Sequence, residues 1–149
     1  MAKDLFHACV RTALEADGWH ITHDPYNLTA TRRDGKRVGI PVDLGAERMF
    51  AAEKSGEKIA VEVKSFLRSS VVNEFHRAVG QYLMYRVGLL GQEPERVLFL
   101  AIPLKIMEEI EDLDLLRDSL AEYAVNVLIF DPTTCRITAW IRKQNTVES

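Results

Sequence analysis

The sequence predicts a single α/β domain in which helices cover the faces of a mixed β-sheet. Three observations support this fold class. The 149 residues match the usual length of one domain, helical and β-type hydrophobic periods alternate along the chain, and no linker or internal repeat interrupts residues 1–149. A composition of 47% hydrophobic and 28% charged residues is typical of globular proteins and excludes a disordered chain.

The first third of the chain predicts one helix followed by short strands. Apolar residues at helical spacing indicate a helix over residues 3–17, and Gly18 stands where a helix commonly stops. Two β-prone runs follow at 19–23 and 28–31, with turn-forming residues between them. An Asp-Gly turn then leads into an extended segment at 38–42.

The middle of the chain predicts a hairpin and a long helix. Residues 49–52 and 58–63 flank a Ser-Gly turn, and the second run alternates apolar with charged side chains. Apolar residues at helical spacing predict a helix over 71–89, broken at Gly88 and Gly91. The hairpin should therefore expose one charged face and bury one apolar face.

The last third alternates strands with helices. Residues 97–102 are nearly all apolar, as expected of a strand buried on both faces. Residues 103–123 are predicted to be helical in one or two pieces, and strands at 125–130 and 136–141 complete the sheet. We expect the tail after Lys143 to fray.

Charge is unevenly distributed along the chain. The net charge of −3 excludes a generally basic, histone-like protein. Residues 1–90 hold 13 basic and 11 acidic side chains, whereas residues 91–149 hold 6 basic and 11 acidic ones. Four cations around the Asp-Gly turn form either a solvated loop or a contact for DNA phosphates. These cations are Arg32, Arg33, Lys36 and Arg37.

The cysteines and the hydropathy pattern predict a compartment. Cys9 and Cys135 stand at opposite ends of the chain without metal-type spacing, so we expect reduced, buried thiols. The N-terminus lacks the apolar core of a signal peptide, and no apolar run approaches the ~20 residues of a membrane span. These features predict no membrane segment and a cytoplasmic location.

The candidate chemistry lies at Asp43 and at Glu62-Val63-Lys64, because phosphate loops, dinucleotide fingerprints and nucleophile elbows are absent. Residues i and i+2 of a strand share a face, so Glu62 and Lys64 project together while Val63 points into the core. Two carboxylates suit Mg²⁺, with the Val63 carbonyl available as a further ligand. The Lys64 ammonium can position an attacking water and offset charge during phosphodiester hydrolysis.

The residues Pro41-Val42-Asp43 and Glu62-Val63-Lys64 resemble the PD-(D/E)xK signature of restriction-endonuclease-like nucleases. The resemblance implies that fold, with the acids binding metal and the lysine assisting the water. It also implies a glutamate from the first helix and a glutamine from a later helix. The matching positions are Glu15 and Gln81, whose plainer interpretations are a surface acid and a polar contact near the sheet.

The first acid has two candidates. In the predicted hairpin Met49 stands opposite Glu62, which leaves Asp43 about 20 Å away along a straight strand. Asp43 reaches the site if the chain bends back at Gly45, and Glu47 is the nearer alternative. Asp43 is placed first because a proline precedes it, as in the PD-(D/E)xK signature.

Longer stretches resemble the XisH family of fdxN element excision controlling factors. The matching segments are VDLGAER at 42–48, AAEK at 51–54, KIAVEVKSF at 58–66, NEFH at 73–76 and GQY at 80–82, and the resemblance spans essentially the whole chain. It implies a restriction-endonuclease-like fold, a role in the programmed DNA excision of heterocyst-forming cyanobacteria, and a companion protein of the XisI type.

Two functional hypotheses follow from different classes. The first is a Mg²⁺-dependent, endodeoxyribonuclease-like protein acting on DNA. In this hypothesis the acids hold the metal, Lys64 assists the attacking water, and Gln81 supports the site. The second is a non-catalytic subunit that regulates a site-specific recombinase through protein contacts, which the acidic run over residues 108–122 favours. A third is a toxin–antitoxin-like pair with the companion protein, and a homodimer is compatible with each.

Overall fold

The computed structural model of the chain describes residues 2–40, 49–64, 66 and 70–143. Its elements confirm the predicted order of helices and strands. They are α1 (Ala2–Ala16), β1 (His20–His23), β2 (Leu28–Thr31), β3 (Arg37–Ile40), β4 (Met49–Lys54), β5 (Glu57–Val63), α2 (Val71–Gln92), β6 (Val97–Pro103), α3 (Leu104–Glu111), α4 (Asp114–Glu122), β7 (Val127–Asp131) and β8 (Arg136–Ile141).

A six-stranded mixed sheet in the order β1-β4-β5-β6-β7-β8 forms the centre of the domain. The β4–β5 and β7–β8 pairs are antiparallel, as expected of strands joined by short turns. The β5–β6 and β6–β7 pairs are parallel, and their crossovers run through α2 and through α3 and α4. The predicted mixed sheet flanked by helices is thereby confirmed.

Helices cover both faces of this sheet, so each face has its own apolar core. On the α1 face, the core includes Val10, Leu14, Phe50, Val61 and Phe99. On the opposite face, which α2, α3 and α4 cover, it includes Ala60, Tyr82, Leu100, Ile110 and Leu120. Because β5, β6 and β7 are covered on both sides, they consist almost entirely of buried residues.

Strands β2 and β3 form a separate two-stranded hairpin, with Leu28 opposite Ile40 and Thr31 opposite Arg37. The Asp-Gly turn lies where the sequence predicts it. Gly35 has a φ of 89° and donates its N–H to the Arg32 carbonyl over 2.9 Å, a left-handed conformation that favours glycine. The predicted extension of β3 to residue 42 lies outside the described residues.

The long helix α2 differs from its prediction, because it continues through Gly88 and Gly91 to Gln92. A Cβ added to Gly88 would lie 3.1 Å from Leu28 Cδ1, so tertiary packing accounts for this glycine inside a helix. The helix ends just before Glu93-Pro94, since a residue that precedes proline disfavours helical geometry. None of the helices in the described ranges has the length and apolar character required to cross a membrane.

The expectation of reduced thiols at Cys9 and Cys135 is wrong, because the two residues form a disulfide with a Cα–Cα distance of 4.9 Å. The bond joins α1 to the turn between β7 and β8. Helix α1 packs against β8 at the edge of the sheet, which brings together two parts of the chain that are 126 residues apart. Their spacing in the sequence contains no signal of this contact.

Candidate functional site

The candidate site forms at the carboxyl end of β5, in the middle of the sheet. Glu62 stands opposite Met49 of β4 and beside Leu100 of β6. Lys64 follows the last residue of the strand, and its Nζ lies 3.5 Å from Glu62 Oε2. The predicted common face of Glu62 and Lys64 is therefore present, on the side of the sheet that α2 covers.

Gln81 approaches this pair from α2, because its Oε1 accepts a hydrogen bond from Lys64 Nζ. The next residue anchors the helix to the sheet. The Tyr82 hydroxyl donates to the Leu98 carbonyl over 3.1 Å and accepts from the Asn126 backbone N–H over 3.0 Å. These buried bonds hold the helical turn that carries Gln81 at a fixed distance from β5.

The Glu62 and Lys64 side chains are almost completely buried, with exposed fractions of 3% and 7%. Removing two charges from water costs several kcal/mol per ion, which their mutual attraction repays only in good geometry. Apolar residues of the same size at such positions often provide equal stability. A buried ion pair at the end of a central strand is therefore a candidate for function.

The site contains part of the oxygen donor set that Mg²⁺ prefers. Glu62 supplies a carboxylate next to the Gln81 amide oxygen and the Lys64 ammonium. The described residues contain no group of three or more His, Cys, Asp or Glu side chains that could hold a metal ion. The donors are thus of the right chemical kind, and a second acid has to come from elsewhere in the chain.

The two predicted first acids, Asp43 and Glu47, lie outside the described residues. The choice between them stays a prediction. Val63 is described, and its side chain packs into the core on the α1 face, as expected for the residue between Glu62 and Lys64. Its role as a carbonyl ligand also stays a prediction.

Glu15 is not brought to the Lys64 cluster. It lies on α1, which covers the opposite face of the sheet, and its side chain is 52% exposed. Its carboxylate lies 3.5 Å from Arg11 Nε, one helical turn earlier. This position agrees with the plainer interpretation of Glu15 as a surface acid.

Glu74 is a buried acidic residue on α2 that the sequence reasoning did not single out. It is 5% exposed and lies in the first turn of α2. Seven residues separate it from Gln81, so the two side chains leave the same side of the helix about 10 Å apart along its axis. This seven-residue spacing was the signal that could have identified it.

The four predicted DNA-binding cations lie at the tip of the β2–β3 hairpin. All of them are exposed. Two take part in the hairpin itself, since Arg32 Nε lies 3.8 Å from Asp34 and Arg37 Nη2 donates to Thr29 Oγ1 over 2.8 Å. Arg33 and Lys36 complete the set.

The hairpin is attached to the end of α2 that is remote from Gln81. The side chain of Gln92 accepts from the Thr29 N–H over 3.0 Å and donates to the Asn27 carbonyl over 3.0 Å. Gln92 lies eleven positions beyond Gln81, or about 16 Å along the helix. The base of the hairpin and the Lys64 cluster therefore contact different parts of the same helix.

A strongly shifted pKa occurs at Glu93, away from the Lys64 cluster. Hydrogen bonds from Arg96 are the largest cause and, with one from the Tyr26 hydroxyl, lower the pKa of Glu93 from 4.5 to about 2 against the effect of burial. Arg96 also donates to the Ile59 carbonyl over 3.0 Å. This network ties the end of α2 to the beginning of β5, which is a structural role.

Comparison with known proteins adds information on ancestry. The family model described as "XisH protein" matches residues 1–138. The crystal structure of an XisH family protein from Nostoc punctiforme PCC 73102 is 44% identical, with a TM-score of 0.81 over 93% of this chain and 99% of that one. A fdxN element excision controlling factor protein from Anabaena variabilis is 41% identical, with the same TM-score and the same coverage of both chains. No curated protein matches the chain.

Proposed function

The chain belongs to the XisH family, and from this premise we propose that it is a controlling factor for programmed, site-specific DNA excision with a Mg²⁺-dependent phosphodiester hydrolysis site. A structural relative 41% identical to it is described as a fdxN element excision controlling factor protein. That the chain hydrolyses DNA, uses Mg²⁺ and binds DNA goes beyond this description and is part of our proposal. We also propose that its mixed sheet is the restriction-endonuclease-like one, in which helices cover both faces of the central strands.

The single observation that carries the hydrolytic part is the contact of Lys64 with Glu62 and Gln81. An ammonium in contact with a carboxylate and an amide oxygen is held in place at the end of β5, where it can act on a water or a phosphate oxygen at this site. A bound Mg²⁺ would supply Lewis-acid chemistry at the phosphate. Glu62 and either Asp43 or Glu47 would hold it.

Each residue then has a distinct task. Lys64 holds the attacking water by a hydrogen bond and offsets the negative charge that develops on the phosphate. Gln81 is a positioning residue, since it acts on substrate through Lys64. In this proposal the cationic hairpin tip contacts the DNA phosphates, which requires charge rather than base recognition.

A second candidate function is supported by the acidic surface of α3 and α4. Between residues 108 and 122, seven acidic side chains are opposed by Arg117 alone, and all seven are exposed. Such a surface repels DNA and suits a basic protein partner. In this alternative the chain is a non-catalytic, cytoplasmic subunit that acts through an XisI-like companion and a recombinase.

The test is Mg²⁺-dependent cleavage of duplex and branched DNA by the wild-type chain and by two variants, with and without the companion protein. We expect Lys64→Met and Glu62→Gln each to lower the cleavage rate at least a hundredfold, because charge stabilisation of this kind contributes about 10²–10³ to a rate. Lys58→Met and Glu57→Gln are matched controls on the same strand, and they should retain the wild-type rate.

Unfolding midpoints separate loss of chemistry from loss of folding in these variants. If wild type and Lys64→Met cleave at the same rate, the activity comes from another site or from a contaminant. If neither cleaves under any of these conditions, while the chain still binds the companion protein, the regulatory alternative replaces the hydrolytic one.

A further inference from the structure

A cavity of about 410 Å³ lies at the carboxyl edge of the sheet, and we call it the edge cavity. Strands β6 and β7 end there at Pro103 and Asp131, and both residues line the cavity together with Phe6 of α1. In open α/β sheets, ligands bind in the crevice outside the carboxyl ends of the parallel strands. The size of the edge cavity also lies in the range of small-molecule sites.

The edge cavity adjoins the Lys64 cluster through one short segment of the chain. Phe66 lines the cavity and comes two residues after Lys64. Val63 of β5 pairs with Ala101 of β6. Lys64 comes one residue after this pair on its strand, and Pro103 comes two residues after it on the neighbouring strand. With strands about 4.8 Å apart and about 3.3 Å between successive residues, the backbones at Lys64 and Pro103 are about 6 Å apart.

The walls of the edge cavity are apolar and partly aromatic. Phe6 and Phe66 contribute rings, and Leu104 and Ile106 contribute aliphatic side chains. Such walls suit a flat ring system, which stacks on aromatic side chains. Phe66 provides an independent observation, because its φ of 56° is a left-handed conformation that a bulky side chain rarely adopts. Residues held in such conformations cluster at ligand and active sites.

One side of the edge cavity is polar and offers hydrogen-bond acceptors. Asp131 Oδ1 accepts from the Thr133 hydroxyl over 2.7 Å and from the Thr133 backbone N–H over 2.9 Å. These bonds lower the pKa of the Asp131 carboxyl, so the group is charged at neutral pH. The carboxylate keeps further acceptor sites, as does the Thr133 hydroxyl oxygen. This side therefore favours a ligand whose edge carries N–H donors.

We propose that the edge cavity binds a nucleobase that has left its base pair, next to the phosphate that Lys64 contacts. This inference rests on the proposed function, from which it takes the phosphate at Lys64. A nucleobase is apolar on its faces and polar along its edge, which matches aromatic walls with one polar side. One nucleic acid chain supplies both the phosphate and the ring, and this continuity favours a nucleobase over a separate small molecule.

The polar side of the edge cavity also selects among the bases. Cytosine and adenine carry an exocyclic amino group that can donate to Asp131, whereas thymine and uracil have a carbonyl oxygen at that place. Taking a base out of a duplex costs least where the base is already unpaired. The substrate class is accordingly DNA with an unpaired base, as in branched DNA, and the preferred base carries an amino group.

Binding of DNA in the absence of Mg²⁺ tests this inference apart from hydrolysis. Fluorescence anisotropy compares duplexes that contain one unpaired deoxycytidine, one unpaired deoxyuridine or one unpaired abasic site. We expect the wild type to bind the deoxycytidine duplex about tenfold more tightly than the deoxyuridine duplex, because uracil lacks the amino group that donates to the carboxylate. The abasic duplex should bind more weakly still, because it has no ring to stack.

Asp131→Asn tests the polar side directly. The Asn amide oxygen can accept the bonds from Thr133, while its NH₂ group replaces acceptors by donors, so the deoxycytidine-to-deoxyuridine affinity ratio should fall from about ten to about one. Asp118→Asn is the matched control, since it removes the same charge from a side chain on α4 that is 73% exposed. It should keep the wild-type ratio. The ratio is compared because loss of a negative charge strengthens binding to any DNA.

The possible results distinguish this inference from the proposed function. Equal wild-type affinities for the three duplexes, or a wild-type ratio in Asp131→Asn, would overturn the inference, leave the edge cavity to another ligand and leave the proposed function in place. The expected ratios in a chain that cleaves no DNA would support the base site and contradict the hydrolytic proposal. A wild type that binds none of the duplexes would overturn both.

Discussion

The ammonium group of Lys64 has acceptors on two different elements. Glu62 lies two residues away on the same strand, and Gln81 reaches the ammonium from α2. Because the group is buried, the loss of an acceptor leaves a cation with unsatisfied N–H groups away from water. Such a loss destabilises a protein more than the loss of an exposed contact does.

Gln81→Leu should therefore lower the free energy of unfolding by about 1–3 kcal/mol, the usual penalty for a buried donor that loses its partner. Gln81→Glu should cost less, because a carboxylate can accept the same hydrogen bond. Urea denaturation of both variants measures the difference. Equal destabilisation by the two substitutions would show that packing at position 81, and not the bond to Lys64, controls stability there.

The lowered pKa of Glu93 predicts how the stability of the folded chain changes at acidic pH. Its pKa falls from 4.5 to about 2 in the folded chain, so its contribution to stability is fully present above pH 4.5 and is lost as the pH falls towards 2. Glu93→Gln should be less stable than wild type at pH 7, and this difference should narrow below pH 4.5. Thermal midpoints between pH 2 and pH 7 test this, with exposed Glu109→Gln as the control that follows wild type throughout.

At the scale of elements, hydrophobic periodicity predicted the strands and helices within a few residues, but it did not predict where α2 ends. Gly88 and Gly91 suggested breaks, yet the helix continues to Gln92. Packing of Leu28 against Gly88 compensates for the weak helix propensity of glycine. Propensity is a local preference, and a contact with a distant strand overrides it here.

The β2–β3 hairpin is the element on which we expect DNA binding to depend. Arg32 and Arg37 contribute to the hairpin's own contacts. The double variant Arg33→Ser with Lys36→Ser therefore removes two charges and keeps those contacts. This double variant should bind duplex DNA more weakly, and the slope of log K against log salt concentration should fall by about two. Fluorescence anisotropy at several salt concentrations measures both quantities.

The matched control for this experiment is Lys105→Ser with Arg117→Ser, which removes two exposed cations from α3 and α4. Affinity and salt slope should remain at the wild-type values in this control. If both double variants weaken binding equally, long-range attraction to net charge accounts for the effect, and the hairpin is no specific contact.

At the scale of the whole molecule, the disulfide between Cys9 and Cys135 joins the first helix to the last pair of strands. It encloses nearly the entire chain, since the two residues are 126 positions apart. A cross-link that closes so long a loop restricts the unfolded chain strongly. The bond thus acts on the cooperativity of the whole domain more than on any single contact.

Reduction of this bond should lower the free energy of unfolding by about 2–4 kcal/mol, the usual contribution of a disulfide. Denaturant titrations of wild type with and without a phosphine reductant measure the change. Cys135→Ser is the control, because its stability should match that of the reduced wild type and should not depend on the reductant. A wild type with identical curves under both conditions contradicts the prediction.

The sequence by itself determined the mixed α/β fold class, the order of the elements, and the common face of Glu62 and Lys64. These features follow from side-chain periods of 2 and 3.6 residues, which are local properties of the chain. The family resemblance placed Gln81 as a candidate, but only the tertiary structure brought it to Lys64, because α2 has to fold back across β5 to do so.

Tertiary structure also decided the features that depend on contacts between distant segments. It joined Cys9 to Cys135 through the packing of α1 on β8, left Glu15 on the opposite face from Glu62, and exposed one apolar side of α2. No local pattern encodes these contacts, since each depends on how whole elements pack together in space.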